Sequence, residues 1–169
     1  MIEMTSSSAG FKLPETDTCY FCDRLAMTAT PGLIAETEST ATLVNARQHQ
    51  EGQVVVVPRR HAPTVLDLTE EEAIDAMRAA QRAARAMLKV FDMDGMLLYQ
   101  NNGVASGQET PHFHLHVCPQ RVATSRWGNE PPHIADALGR KFEPHEPAWL
   151  TDAELEAMAA KIRPQLEAP

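Results

Sequence analysis

Residues 112–118 read His-Phe-His-Leu-His-Val-Cys, three histidines alternating strictly with apolar side chains. A period of two is the signature of an extended chain, whose successive side chains leave opposite faces. The pattern predicts a strand over 112–118 with His112, His114 and His116 on one face, about 7 Å apart at a rise of ~3.3 Å per residue. Phe113, Leu115 and Val117 line the other face and can pack into a core. Imidazole titrates near neutral pH and serves as proton shuttle, nucleophile or metal ligand. An exposed sheet face that merely happens to be rich in histidine is a poor account of this spacing.

Two chemistries fit the run. Alternate histidines can chelate one catalytic metal ion that keeps an open position for water. Alternatively, the central His114 attacks a phosphorus with its ring held by neighbouring groups, and His116 supports the developing charge. Spacing does not separate the two. Asn101, Gly107 and Gln108, just upstream, favour the second, because neutral amides and a glycine turn suit a bound phosphate and sugar. A metal site more often recruits carboxylates nearby.

Around this run the chain reads as alternating β and α signals. Leu33 to Ala35 and Ala41 to Asn45 are short strand candidates. Val54 to Val57 is an uninterrupted β-branched run, as in a buried strand, and Pro58 stops it. Thr69-Glu70-Glu71-Glu72 is a capping box and opens a helix expected to run to about Phe91. Ile74, Met77, Ala84, Leu88 and Phe91 fall mostly on one face of it, which is expected to pack into the core. Met96 to Gln100 reads as a further strand, and Asn101-Asn102-Gly103 turns the chain toward the histidines. A second capping box, Thr151-Asp152-Ala153-Glu154, starts a last helix expected to end near Arg163, before Pro164. Several strands, one long helix and a terminal helix predict an α+β fold with a mainly antiparallel sheet. We expect a flexible N-terminal tail over 1–16, one domain over 17–125, and an extension over 126–169 that ends in the helix and packs on the same domain.

Cys19-Tyr20-Phe21-Cys22 offers two thiolates at a spacing that can share one tetrahedral zinc, with distant histidines such as His61 and His112 completing it. A redox pair and a pair of small buried residues compete with that reading. The redox motif normally sits where a strand enters a helix, and nothing before Cys19 looks like a strand. The third cysteine, Cys118, is read as a buried strand residue, and three cysteines make a poor disulfide framework. A net charge of −8 argues against broad binding to nucleic acid. No apolar run approaches the ~20 residues of a membrane span. Residues 1–10 lack the charged start and apolar middle of a secretory signal, so a cytoplasmic location is expected.

Gly107-Gln108 followed by His112-Phe113-His114-Leu115-His116-Val117-Cys118-Pro119 and Arg121 resembles the signature of the histidine triad (HIT) family of nucleotide hydrolases and transferases. A second block agrees: Asn45, then Val54-Val55-Val56-Val57-Pro58-Arg59-Arg60-His61. The Cys19-x-x-Cys22 start resembles the family's zinc-bearing bacterial branch. The resemblance runs from about Cys19 to Arg121. It implies that His114 is the nucleophile of a covalent nucleotidyl-imidazole intermediate and that His116 contacts the same phosphate and leaving group. It further implies that Gln108 and Asn101 hold phosphate or leaving-group oxygens, and that Asn45 stands where an acidic residue commonly binds ribose hydroxyls. Cys19, Cys22, His61 and His112 match four ligands of a structural zinc. A homodimer acting on dinucleoside polyphosphates or nucleoside phosphoramidates is the expectation that follows.

Two positions depart from the family pattern. Gly52-Gln53 stands where many members have Gly-His, and that histidine belongs to the active-site hydrogen-bond network; His49 is a nearby alternative. Glu109 stands where several members have Ser or Thr, and is expected to donate a proton or face a cationic leaving group. His133 and His145 are expected on the surface.

Overall fold

The computed structural model describes residues 10–48, 50–121 and 148–166. His49, His133 and His145 therefore lie outside the described residues. Along the chain run α1 (Tyr20–Leu25), β1 (Leu33–Glu36), β2 (Thr40–Val44), β3 (Arg47–Gln48), β4 (Val54–Pro58), α2 (Glu70–Val90), β5 (Gly95–Tyr99), β6 (Leu115–Gln120), β7 (Ala148–Trp149) and α3 (Asp152–Ile162). Both long helices begin at the predicted capping boxes. The Thr69 hydroxyl accepts from the Glu72 amide and the Glu72 carboxylate accepts from the Thr69 amide, satisfying two otherwise orphaned donors. Thr151 and Glu154 do the same for α3.

Five strands form one sheet in the order β1-β2-β4-β6-β5, and every neighbouring pair is antiparallel. The fold is α+β with a mainly antiparallel sheet, as the sequence predicts. Strand alternation gives the sheet two different faces. Val54, Val56, Leu115 and Val117 share the main core with Ala76, Ala80, Ala83 and Met87 of α2 and with Leu155, Ala159 and Ile162 of α3. Val55, Val57, Ala41 and Leu43 face the other way and form a smaller core with Cys19 and Phe21. Because both faces of β4 are covered, its valine run is buried throughout. Within the segment read as a tail, the Lys12 carbonyl accepts from the Val104 amide.

Two expectations are corrected. Ile74, Met77 and Leu88 do not face the core; they are exposed, and only Ala84 and Phe91 of the predicted stripe are buried. Alanines 76, 79, 80, 83, 84 and 86 line the inner face instead. Bulk on the facing sheet decides this, since valine-rich strands leave room for a helix only if its inner side chains are small. The second correction concerns the histidine strand, which begins at Leu115 rather than at residue 112. The sheet ladder between β4 and β6 stops at Val56 and Leu115. Before it, the Phe113 amide donates to the Ala62 carbonyl at 2.6 Å and the His112 amide to the Thr110 carbonyl at 2.8 Å.

The β1–β2 turn is tied to α2 by one carboxylate. Asp75 Oδ2 accepts from the hydroxyls of Thr37 (2.5 Å), Ser39 (2.7 Å) and Thr40 (2.9 Å). Burial pulls the Asp75 pKa upward, and the three hydroxyls outweigh it, so the net shift is downward. A carboxylate held low in the folded state stabilises the fold above the unfolded value of ~3.9 and loses that contribution as pH falls through the folded value. Asp75→Asn should therefore destabilise by about 1–3 kcal/mol at pH 7. Denaturant melts at pH 7 and below pH 4 check it: the gap between wild type and variant should close at the acid end. Among the described residues no helix is long and apolar enough to cross a membrane.

Candidate active site and metal centre

The two cysteines stand at the start of α1, Cys19 at its cap and Cys22 one turn on, and so share one side of the helix. His61 leaves the loop after β4, and His112 leaves the loop before β6. Ligand atoms of these four residues all lie within 4.8 Å of one another, the one such group among the described residues. His112 Nδ1 is 3.3 Å from Cys19 Sγ and 3.5 Å from Cys22 Sγ, and His61 Nδ1 is 3.3 Å from Cys22 Sγ. His112 is fully buried, and its Nε2 donates to the Pro58 carbonyl at 2.9 Å. That bond fixes the tautomer and leaves the Nδ1 lone pair turned toward the sulfurs. Burial pushes the His112 pKa down to about 4 and lowers that of His61, where the Arg60 charge adds to the effect. Burial, reinforced by Cys19, pushes the Cys22 thiol up to about 12. Four convergent donors of this type could hold a metal ion.

His114 and His116 stand outside that group. His114 Nδ1 donates to the backbone carbonyl of His112 at 2.6 Å. Its proton is thereby committed, and the Nε2 lone pair is left as the ring's nucleophilic position. Burial lowers the His114 pKa, opposed by the His112 carbonyl and by Glu109, and the net shift favours the neutral ring. Phe21 of α1 packs against it with ring centroids 5.1 Å apart, and the His116 ring meets it edge-on at 4.9 Å. His116 sits opposite Val55 and Tyr99 in the sheet register, and the Tyr99 ring stacks on it at 4.3 Å with planes 16° apart. The three histidines thus do not converge on one ion. His112 turns inward with the cysteines, while His114 and His116 form a ring pair beside it.

The remaining predicted residues frame this pair. The Gln108 side chain is buried and committed to backbone: its Nε2 donates to the carbonyls of Pro63 (2.7 Å) and Thr110 (2.9 Å), and its Oε1 accepts from the Gly103 amide (2.6 Å). It braces the turn that delivers the histidines. Asn101 Nδ2 donates to the Gly107 carbonyl at 3.3 Å, and Gly107 itself has φ +80°, a left-handed backbone that favours glycine. Asn45 Nδ2 donates to the Arg47 carbonyl at 2.7 Å. Glu109 is largely exposed and pairs with Arg47 at 2.8 Å, so its charge already has a cation. Cys118 is buried on the strand, and burial pushes its thiol up to about 11.

Sequence spacing alone misses three residues of the site. Phe21 lies between the cysteines, and nothing in the local pattern marks it as a neighbour of His114. Tyr99 reaches His116 through strand register, which no local pattern encodes. Gln53, visible only as a departure from the family pattern, is fully buried and contacts His116 Nδ1 through its own Nε2 at 3.0 Å. Its backbone is clamped by Gln48, whose Oε1 accepts from the Gly52 and Gln53 amides at 2.9 and 3.0 Å. Gly52 has φ +91°, and a Cβ there would fall 2.8 Å from the Phe91 ring, so no larger residue fits before Gln53.

Comparison with known proteins identifies the family and the fold. The HIT domain model matches residues 28–123. "Bis(5'-adenosyl)-triphosphatase" of Dictyostelium discoideum is 30% identical over 131 residues, covering 78% of this chain and 83% of that protein. "Adenosine 5'-monophosphoramidase HNT1" of Saccharomyces cerevisiae is 30% identical over 103 residues, 61% of this chain and 63% of its own length. Among solved structures, a Zn-bound histidine triad family protein from Mycobacterium smegmatis superposes with a TM-score of 0.62 at 25% identity, covering 85% of this chain and 94% of that one. A Hit-like protein from Bartonella henselae reaches a TM-score of 0.69 at 22% identity, over 90% of this chain and 99% of that chain, and so shares the fold. The chain belongs to the HIT domain family.

Proposed function

We propose that this chain is a nucleotide hydrolase that acts at the α-phosphorus of dinucleoside polyphosphates or nucleoside phosphoramidates through a covalent nucleotidyl-His114 intermediate. The observation that carries this is the 2.6 Å bond from His114 Nδ1 to the His112 carbonyl, which commits the ring proton to Nδ1 and leaves the Nε2 lone pair to attack. Relatives named as a triphosphatase, an asymmetrical tetraphosphatase and a phosphoramidase support the substrate class. In the first displacement the Nε2 lone pair forms a bond to phosphorus as the bond to the leaving group breaks. In the second, a water oxygen attacks phosphorus, the P–N bond returns its electron pair to Nε2, and a nucleoside monophosphate departs. Dividing one difficult substitution in this way lowers each barrier.

The neighbouring groups take supporting roles. His116, edge-on to His114, stands where charge develops on the phosphate and leaving group. Asn45 spends an amide proton on the Arg47 carbonyl, which turns its Nδ2 inward and offers its Oδ1 to ribose hydroxyls. Asn101 has a second amide proton for a phosphate oxygen. Gln108 acts by fixing the turn, and Glu109 has its charge matched by Arg47.

Zinc is the metal we assign to Cys19, Cys22, His61 and His112. Zn–S and Zn–N bonds of ~2.3 and ~2.0 Å place sulfur and nitrogen of one tetrahedron about 3.5 Å apart. The sulfur-to-nitrogen distances of 3.3–3.5 Å fit that edge. Four protein donors leave no open position, so the ion is structural and holds His112, whose carbonyl in turn holds His114. The chain is further proposed to act as a homodimer in the cytoplasm. Exposed Ile74, Met77 and Leu88 on α2, with Met96 and Leu98 on the edge strand β5, offer an apolar surface for a second copy.

The experiment is acid-quench trapping. Mixing enzyme with an excess of radiolabelled diadenosine polyphosphate should leave about one labelled adenylyl group per active chain, mapped by mass spectrometry to His114 and released as the monophosphate. Nucleotide binding by calorimetry without turnover or label would overturn the assignment in favour of a binding module.

A further inference from the structure

Gln53 Nε2 lies between two acceptors. It donates to the Tyr99 hydroxyl at 3.1 Å and stands 3.0 Å from His116 Nδ1. An amide nitrogen can only donate, so His116 Nδ1 must accept and carry no proton. The ring proton then resides on Nε2. An imidazolium would set its Nδ1–H against the N–H of the buried Gln53 amide, two donors facing each other across 3.0 Å. The clamp from Gln48 and the restricted backbone at Gly52 hold the backbone that carries Gln53 in place. Tyr99, stacked on the same imidazole, blocks rotation of the ring.

We propose that Gln53 is a positioning residue that holds His116 as a neutral hydrogen-bond donor rather than a proton donor, and so matches the site to nucleotides whose leaving group departs as a stable anion. The proposal rests on the hydrolytic assignment above and narrows its substrate class. When His114 Nε2 bonds to phosphorus and the leaving group is a phosphate or nucleoside polyphosphate, the P–O electron pair stays on an oxygen that is stable as an anion. One hydrogen bond from His116 Nε2–H suffices there. When the leaving group is an alkylamine, the P–N electron pair must take up a proton as the bond breaks. A neutral His116 giving up its Nε2 proton would become imidazolate, because Gln53 cannot replace the proton at Nδ1. Dinucleoside polyphosphates are therefore the favoured class over alkyl phosphoramidates.

The test uses the full chain with its metal bound and its imidazoles labelled with nitrogen-15. Long-range proton–nitrogen correlation, with His116 assigned by the signal missing in His116→Phe, should show an unprotonated Nδ1 and a protonated Nε2. In Gln53→Glu, which offers an acceptor of the same shape, Nδ1 should gain a proton. In parallel, kcat/KM of the wild type for diadenosine tetraphosphate should exceed that for an adenosine 5'-alkylphosphoramidate by about 10²-fold or more. Gln53→His, whose ring can both donate and accept, should narrow that ratio about tenfold. A protonated Nδ1 in the wild type overturns the proposal, as do equal rates on the two substrates. If neither substrate is turned over, the hydrolytic assignment falls, and the wild-type spectrum alone decides the tautomer. That spectrum needs no variant at the buried position and so stands even if Gln53→Glu fails to fold.

Discussion

His114→Ala should lower turnover by about 10⁴-fold or more, the scale seen when a covalent nucleophile is removed, while the chain stays folded and keeps its metal. The loss is large because no other group can take over: His112 is turned into the cysteine cluster, and His116 is held by Gln53 and stacked under Tyr99. Stability should change by no more than about 1–2 kcal/mol, since the side chain is half-buried and its polar bond is to backbone. The four proposed metal donors are untouched by the substitution. Steady-state hydrolysis, a thermal melt and metal analysis of the same preparation check all three expectations. Loss of the metal together with activity would instead support one catalytic ion held by all three histidines, and near-normal hydrolysis would remove His114 from the mechanism.

Cys22→Ser should release the metal and lower the melting temperature by about 10 °C. Structural zinc supplies ~10–16 kcal/mol to peptides that cannot fold without it. Here the main core between the sheet, α2 and α3 forms without the cysteines, and only α1 with its small core around Cys19 and Phe21 depends on them. Roughly a third of that energy, about 3–5 kcal/mol, is the expected share. For a chain of this size each kcal/mol moves the midpoint by about 2–4 °C. Activity should fall as well, by about 10–100-fold, the usual cost of disturbing a group that orients a functional histidine. The route is short: α1 carries Phe21, which packs on the His114 ring, and His112 supplies the carbonyl that holds it. Calorimetry with metal analysis tests the first effect and hydrolysis the second. A full complement of zinc with an unchanged midpoint would overturn the metal assignment.

The same residues show where sequence is informative and where it stops. Capping boxes are local: Thr69 and Glu72, or Thr151 and Glu154, meet within one turn, so their spacing alone marks the helix starts. The unbroken valine run Val54 to Val57 and the alternation of residues 115–117 are equally local, and they mark strands. The histidine pattern started the strand three residues too early because alternation records what can be extended, whereas the ladder ends where its partner does. Helix periodicity found an apolar stripe on α2 and assigned it to the core, although two sets of residues compete for that face. Alanines won because close approach to a valine-rich sheet has no room for Ile74, Met77 or Leu88.

Legible from the chain alone is the chemistry available: a HIT signature, two thiols three residues apart, and a glutamine where a histidine is common. Each depends on residues near one another along the chain. How the three histidines divide emerges only when the chain is folded. His112 turns to Cys19 and Cys22 from ninety or more residues away along the chain, His114 is held by its neighbour's carbonyl, and His116 meets Gln53 and Tyr99 through the pairing of three strands. Register and ring orientation are set by long-range packing, in which each side chain takes the position its distant neighbours leave open. A spacing of two residues carries no record of that.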